Sequence, residues 1–149
     1  MRWSHVGLNC RDPRLTRDFY ARWFGFTPAR VVPVGGQEII FIRRGDAYLE
    51  LFPADQAADQ AASGDGPTAP GLIRHLAFQV DDVDKFLAGL GPDADVTLGP
   101  LSFDDVIPGW RTAWIRDPDG VIVEVSQGYR DQEAGEMAGA GPEAGARHG

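Results

Sequence analysis

Two stretches of this chain, seventy residues apart, follow one pattern. In WSHVGLNCRD (residues 3–12), Val6, Leu8 and Cys10 alternate on one face of a strand and His5 falls on the other. In LIRHLAFQVDD (residues 72–82), Leu76, Phe78 and Val80 alternate and His75 falls opposite. The match continues downstream. DPRLTRDFYARWFGF predicts a helix with Asp12 as N-cap, Pro13 at its first position and Gly25 as its stop. Leu15, Phe19, Tyr20 and Trp23 give it an apolar stripe. Strand signals follow at 28–34, 37–44 and 47–53, separated by Gly35-Gly36 and Gly45-Asp46. The second stretch leads into a short helix, DVDKFLAGL, and strand signals at 95–101, 109–116 and 120–127, with Asp117-Pro118-Asp119-Gly120 as a turn. Residues 2–53 and 72–127 are therefore an internal repeat of strand, helix and three strands. A unit of about fifty residues is small for a core of its own, so the two modules should pack as one α+β domain over residues 1–127.

Between the modules, residues 54–71 are rich in Ala, Gly, Asp and Pro and read as a linker or loop. Residues 128–149 read as a disordered tail, too poor in large apolar groups to offset the cost of ordering a backbone. A net charge of −8, from 22 acidic and 14 basic residues, disfavours nucleic acid as a partner. No window approaches the roughly 18 apolar residues of a membrane span, and the N-terminus lacks a signal-peptide core, so a cytoplasmic location is expected. Cys10, the single cysteine, excludes an internal disulfide and falls on an apolar face, where a buried thiol is the expectation.

The faces opposite the apolar ones have a common content. GDAYLELF puts Leu49 and Leu51 toward the helix and leaves Tyr48, Glu50 and Phe52 opposite. GVIVEVSQ puts Val121, Val123 and Val125 toward the helix and leaves Ile122, Glu124 and Ser126 opposite. Each module thus supplies a His on its first strand and a Glu on its last, 45 and 49 residues apart. A single strand His or Glu is ordinary. Two of each at equivalent places in a repeat point to a metal site, because buried carboxylates need a counter-charge and a divalent cation supplies one. Imidazole nitrogen with carboxylate oxygen suits one ion of Ni, Co, Mn, Fe or Zn.

The repeated unit, the helix ending FYARWFGF and the closing RDPDGVIVEV resemble the vicinal oxygen chelate superfamily over residues 2–127. That group includes glyoxalase I, methylmalonyl-CoA epimerase, extradiol dioxygenases, fosfomycin-resistance enzymes and bleomycin-binding proteins. The resemblance implies two tandem βαβββ modules forming a curled mixed sheet around a central metal cavity, and a homodimer. His5, Glu50, His75 and Glu124 resemble the ligand set of bacterial glyoxalase I. Where such enzymes tend to carry an Arg and an Asn that hold glutathione, this chain has Asn9 and Ala54, which implies a substrate not linked to glutathione.

These resemblances imply a metal-dependent lyase or isomerase acting through an enediolate on a small substrate with vicinal oxygens. Glu124 is the first candidate for the proton-accepting base and Glu50 the second. Trp3, Asn9, Tyr48, Phe52, Trp110 and Arg111 are candidate substrate contacts. Two alternatives stay open: an Fe(II) extradiol-type dioxygenase using His5, His75 and Glu124, and a non-catalytic protein that binds or sequesters a small molecule such as a drug.

Overall fold

The computed structural model describes residues 2–54 and 63–132. The first module runs β1 (Val6–Cys10), α1 (Pro13–Phe24), β2 (Thr27–Val34), β3 (Gln37–Arg44) and β4 (Ala47–Pro53). The second runs β5 (Leu76–Gln79), α2 (Val83–Leu90), β6 (Val96–Ser102), β7 (Arg111–Arg116) and β8 (Ile122–Gln127). The two sheets have identical topology, β1-β4-β3-β2 and β5-β8-β7-β6, with the first and last strand of each module paired in parallel. This is the predicted repeat of two βαβββ units.

The local signals act as expected. Asp12 accepts from the Arg14 backbone N–H at the start of α1, and Gly25 ends the helix in the left-handed region (φ 66°) that a side chain disfavours. Asp82 caps α2 in the same manner through Lys85. The stripe on α1 is shifted from the predicted one. Thr16, Tyr20 and Phe24 are its fully buried line, whereas Leu15 is exposed. The cause is the second module: the Thr16 hydroxyl bonds the Asp119 carboxylate, so the helix turns a polar side chain inward.

One core joins the modules. Leu8, Cys10, Ile40, Ile42, Leu49 and Leu51 from the first sheet share it with Val83, Ala113, Ile115, Val123 and Val125 from the second. Phe24 of α1 lies 4.5 Å from Phe78 and 5.6 Å from Phe86, ring centre to ring centre. The Arg11 N–H bonds Asp119, and the Tyr20 hydroxyl bonds Asp117. The apolar faces of both sheets therefore meet each other through the helices.

That arrangement corrects one expectation. The faces bearing His and Glu do not lie between the two modules; they point away from the shared core. The sheets remain two separate four-stranded sheets, and they do not close around a central cavity within one chain. Among the described residues no helix is long and apolar enough to cross a membrane. The linker reading falls partly on residues 55–62, and the tail reading mostly on 133–149, which lie outside the described residues.

Candidate metal centre

Parallel pairing builds each half of the site. In the first module Gly7 on β1 lies beside Glu50 on β4, and His5 stands two residues before Gly7, hence on the same face. His5 Nε2 is 2.9 Å from Glu50 Oε2. In the second module Ala77 lies beside Glu124, and His75 stands two residues before Ala77. His75 Nε2 is 2.9 Å from Glu124 Oε2. Both carboxylates are shielded, with side chains 16% and 12% exposed, while His5 is open at 40% and His75 at 23%.

The other imidazole nitrogens are also engaged. His75 Nδ1 is 2.8 Å from the Asp65 carbonyl oxygen, and His5 Nδ1 is 2.9 Å from Ser4 Oγ. A carbonyl only accepts, so Nδ1 of His75 carries the hydrogen and Nε2 is directed at Glu124. A neutral imidazole would then aim a lone pair at a carboxylate. A divalent ion between the two groups would satisfy both the nitrogen lone pair and the carboxylate. A histidine that donates Nδ1–H to a backbone carbonyl and offers Nε2 is also the usual form of a metal ligand. The donor chemistry of each pair fits a divalent ion.

Each pair supplies only two donors. Among the described residues no three His, Cys, Asp or Glu side chains converge to hold one ion. The predicted four are thus brought together as two matching pairs, one per module, on faces directed away from the common core.

The neighbours of each pair repeat as well. Phe41 on β3 sits beside Glu50 and meets the His5 ring edge-on at 5.8 Å. Trp114 on β7 sits beside Glu124, 6.4 Å from the His75 ring. Neither aromatic was singled out from the sequence, although their equal positions in the repeat would have revealed them. Of the candidate substrate contacts, Trp3 and Tyr48 line a cleft of about 1130 Å3 around His5, and Phe52 lies across Gly7, where a Cβ would come within 3.2 Å of its ring. Asn9 shares the face of Gly7 and pairs with Phe52 in register. Trp110 lines a smaller hollow of about 250 Å3 with Glu124, Ser126 and Tyr129, and its indole N–H donates to Ser126. Tyr129, assigned with the tail from sequence, packs edge-on against Trp110.

Arg111 stands apart. It lies three residues from Trp114, on the opposite face of β7, and its guanidinium bonds Asp84 on α2 at 2.9 Å. Cys10 is buried with its thiol pushed up to about 12 by desolvation, as befits a core side chain and not a nucleophile.

Comparison with solved structures gives the same architecture throughout. A glyoxalase family protein from Enterococcus faecalis is 30% identical, with a TM-score of 0.63, over 84% of this chain and 96% of that one. A lactoylglutathione lyase from Agrobacterium tumefaciens shares the fold at 24% identity and a TM-score of 0.55, over 85% of this chain and 93% of that one. An antibiotic-binding protein from a Streptomyces species shares it at 23% identity and a TM-score of 0.54, over 87% of this chain and 99% of that one. No curated protein matches the chain. The family model of the Glyoxalase/Bleomycin resistance protein/Dioxygenase superfamily matches residues 2–125, and the chain belongs to that superfamily.

Proposed function

We propose that this protein is a metal-dependent, glyoxalase-like lyase or isomerase working as a homodimer. One divalent ion would be held by His5 and Glu50 of one chain with His75 and Glu124 of a second copy. The observation that carries this reading is the His–Glu pair repeated at 2.9 Å in both modules, each pair facing away from the chain's own core. Two copies meeting through these faces would complete two four-donor sets. When bound, the ion supplies Lewis acidity toward two neighbouring oxygens of a small substrate.

The chain's own residues would do the rest. Glu124, shielded by Trp114, is the first candidate to take a proton from the carbon beside a carbonyl, and Glu50, beside Phe41, is the second. The Asp65 carbonyl orients His75. Tyr48, Phe52 and Trp110 wall the two pairs and restrict water. Asn9 and Ala54 offer no cation to a glutathione carboxylate, which supports a different substrate.

A second reading has its own support. Phe103, Trp110 and Tyr129 form an aromatic group near Glu124, with ring centres 4.9 and 5.9 Å apart, which suits holding a planar molecule without reaction.

Chains carrying His5→Ala and His75→Ala, co-expressed with different tags, test the shared site. Each variant homodimer should lose most of its metal. The purified heterodimer should keep one intact site of its two, with half the wild-type metal content. A heterodimer as empty as its parents, or a monomer with full occupancy, would overturn the shared site. Turnover of α-hydroxycarbonyl or thioester substrates supports the lyase or isomerase reading. Ring cleavage of a catechol requiring O2 and Fe2+ supports a dioxygenase, and full metal loading with no turnover supports the binding protein.

A further inference from the structure

The two half-sites are not equivalent in charge. Across the first sheet the register runs Gly7, Glu50, Phe41, Arg30, placing Arg30 in one row with the Glu50 carboxylate. One row along, Arg43 on β3 pairs with Tyr48. Both arginines line the cleft around His5, and Arg2 joins them from the segment before β1. In the second sheet the corresponding row is Ala77, Glu124, Trp114, Leu98. Leu98 replaces Arg30. The residue matching Arg43 is Arg116, which is bonded to Asp95 at 2.6 Å.

The arginines of the cleft have no such partner among the described residues. Elsewhere Arg14, Arg17, Arg74, Lys85, Arg111 and Arg116 each hold a carboxylate, whereas Arg11, Arg22, Arg44 and Arg130 lie outside this cleft. Among the described residues Arg2, Arg30 and Arg43 form no ion pair, although the chain carries 22 acidic groups against 14 basic ones. Among the described residues Asp46 is the one carboxylate lining the cleft with them, and Glu50 is taken by His5. Three guanidiniums gathered in one cleft repel each other unless an anion joins them. Guanidinium is the group best suited to carboxylate and phosphate oxygens, which it meets two at a time.

We infer that Arg30 and Arg43, with Arg2, form an anion-binding subsite beside His5 and Glu50, and that the substrate is a small organic anion carrying a carboxylate, phosphate or phosphonate. This deepens the metal-site reading and rests on it for the reacting end of the molecule. Strands lie about 4.8 Å apart, so Arg30, two strands from Glu50, has its Cα roughly 10 Å away. Allowing for the arginine's reach, charged group and chelating oxygens fit within one small molecule. The apolar counterpart in the second module, with Leu98 in place of Arg30, gives the substrate a direction: its charge lies over the first module's sheet and its uncharged part over the second's.

Calorimetric titration of the full chain, stripped of divalent metal, tests the subsite apart from the metal. The probes are benzoate, phenylphosphonate and neutral benzamide. At least one anion should bind ten or more times tighter than benzamide, and the tighter of the two identifies the charged group. Its binding should weaken as salt is raised. The double substitution Arg30→Gln, Arg43→Gln should lower that affinity at least tenfold, while metal content and the thermal melt stay unchanged because both side chains are exposed. Benzamide binding as tightly as the anions, or a double variant binding like wild type, overturns the subsite whether or not metal binds. Anion binding that survives in a protein unable to hold metal sustains the subsite and removes the metal reading instead.

Discussion

The Tyr20 hydroxyl on α1 donates a 3.0 Å hydrogen bond to the Asp117 carboxylate at the end of β7, so a helix of the first module is fastened to a turn of the second. Both groups are buried. Asp117 also accepts from the Asp119 and Val121 N–H groups. The carboxylate therefore closes its own turn and docks the other module with one side chain.

This junction has a pH signature. Burial raises the Asp117 carboxyl above its ordinary value, and the Val121, Asp119 and Tyr20 donors only partly offset it. A raised carboxyl favours the protonated folded form. Its stabilising contribution is complete below the ordinary value and is lost as pH rises through the raised one. Asp117→Asn should thus gain on wild type in urea melts as pH goes from acid to neutral. Tyr20→Phe should cost about 1–2 kcal/mol. Coupling with Asp117→Asn in a double-mutant cycle should recover part of that cost.

Gly66 holds the segment that orients His75. Its φ is +117°, and a Cβ there would run into the Arg74 carbonyl. Gly66→Ala should displace the neighbouring Asp65 carbonyl from His75 Nδ1. Loss of such an orienting contact usually lowers metal affinity about 10- to 100-fold. Competition with a chromophoric chelator measures this, and an unchanged affinity would show that the Asp65 contact does not orient the ligand.

Individual ligands should differ in their effect. Purified protein should contain one divalent ion per chain by elemental analysis. His5→Ala or His75→Ala should remove most of it, because no other imidazole stands near either pair among the described residues. Glu50→Gln keeps an amide oxygen and should retain part. Full occupancy in both His variants would show that these residues are not ligands.

Cys10 should be silent toward thiol reagents. It is fully buried, and its thiol is pushed up to about 12, so almost no thiolate exists near neutral pH. A chromogenic disulfide reagent at pH 8 should react only after unfolding in denaturant. Reaction at a rate independent of stability would reveal an opening of the core next to β1.

Much of this architecture is local and was legible along the chain. Asp12, Pro13 and Gly25 act within a few residues of themselves, and so do the Gly35-Gly36 and Gly45-Asp46 turns; all fall where the elements begin and end. Strand alternation is equally local, which is why His5 with Glu50 and His75 with Glu124 could be assigned to one face of each sheet. Alternation states which face a side chain takes and is silent about what covers it. That choice depends on contacts between residues far apart in sequence: Phe24 with Phe78, Tyr20 with Asp117, Thr16 with Asp119. Burial of apolar surface is non-directional, so the helix-bearing faces could meet each other or leave that place to the His–Glu faces. Only the tertiary structure decided it, by joining the apolar faces in one core and leaving each His–Glu pair directed outward. The same limit applies to Arg111, whose face was open to a substrate anion until Asp84 on α2 took its charge. Arg30 and Arg43 lie at the other extreme, since neither forms an ion pair among the described residues.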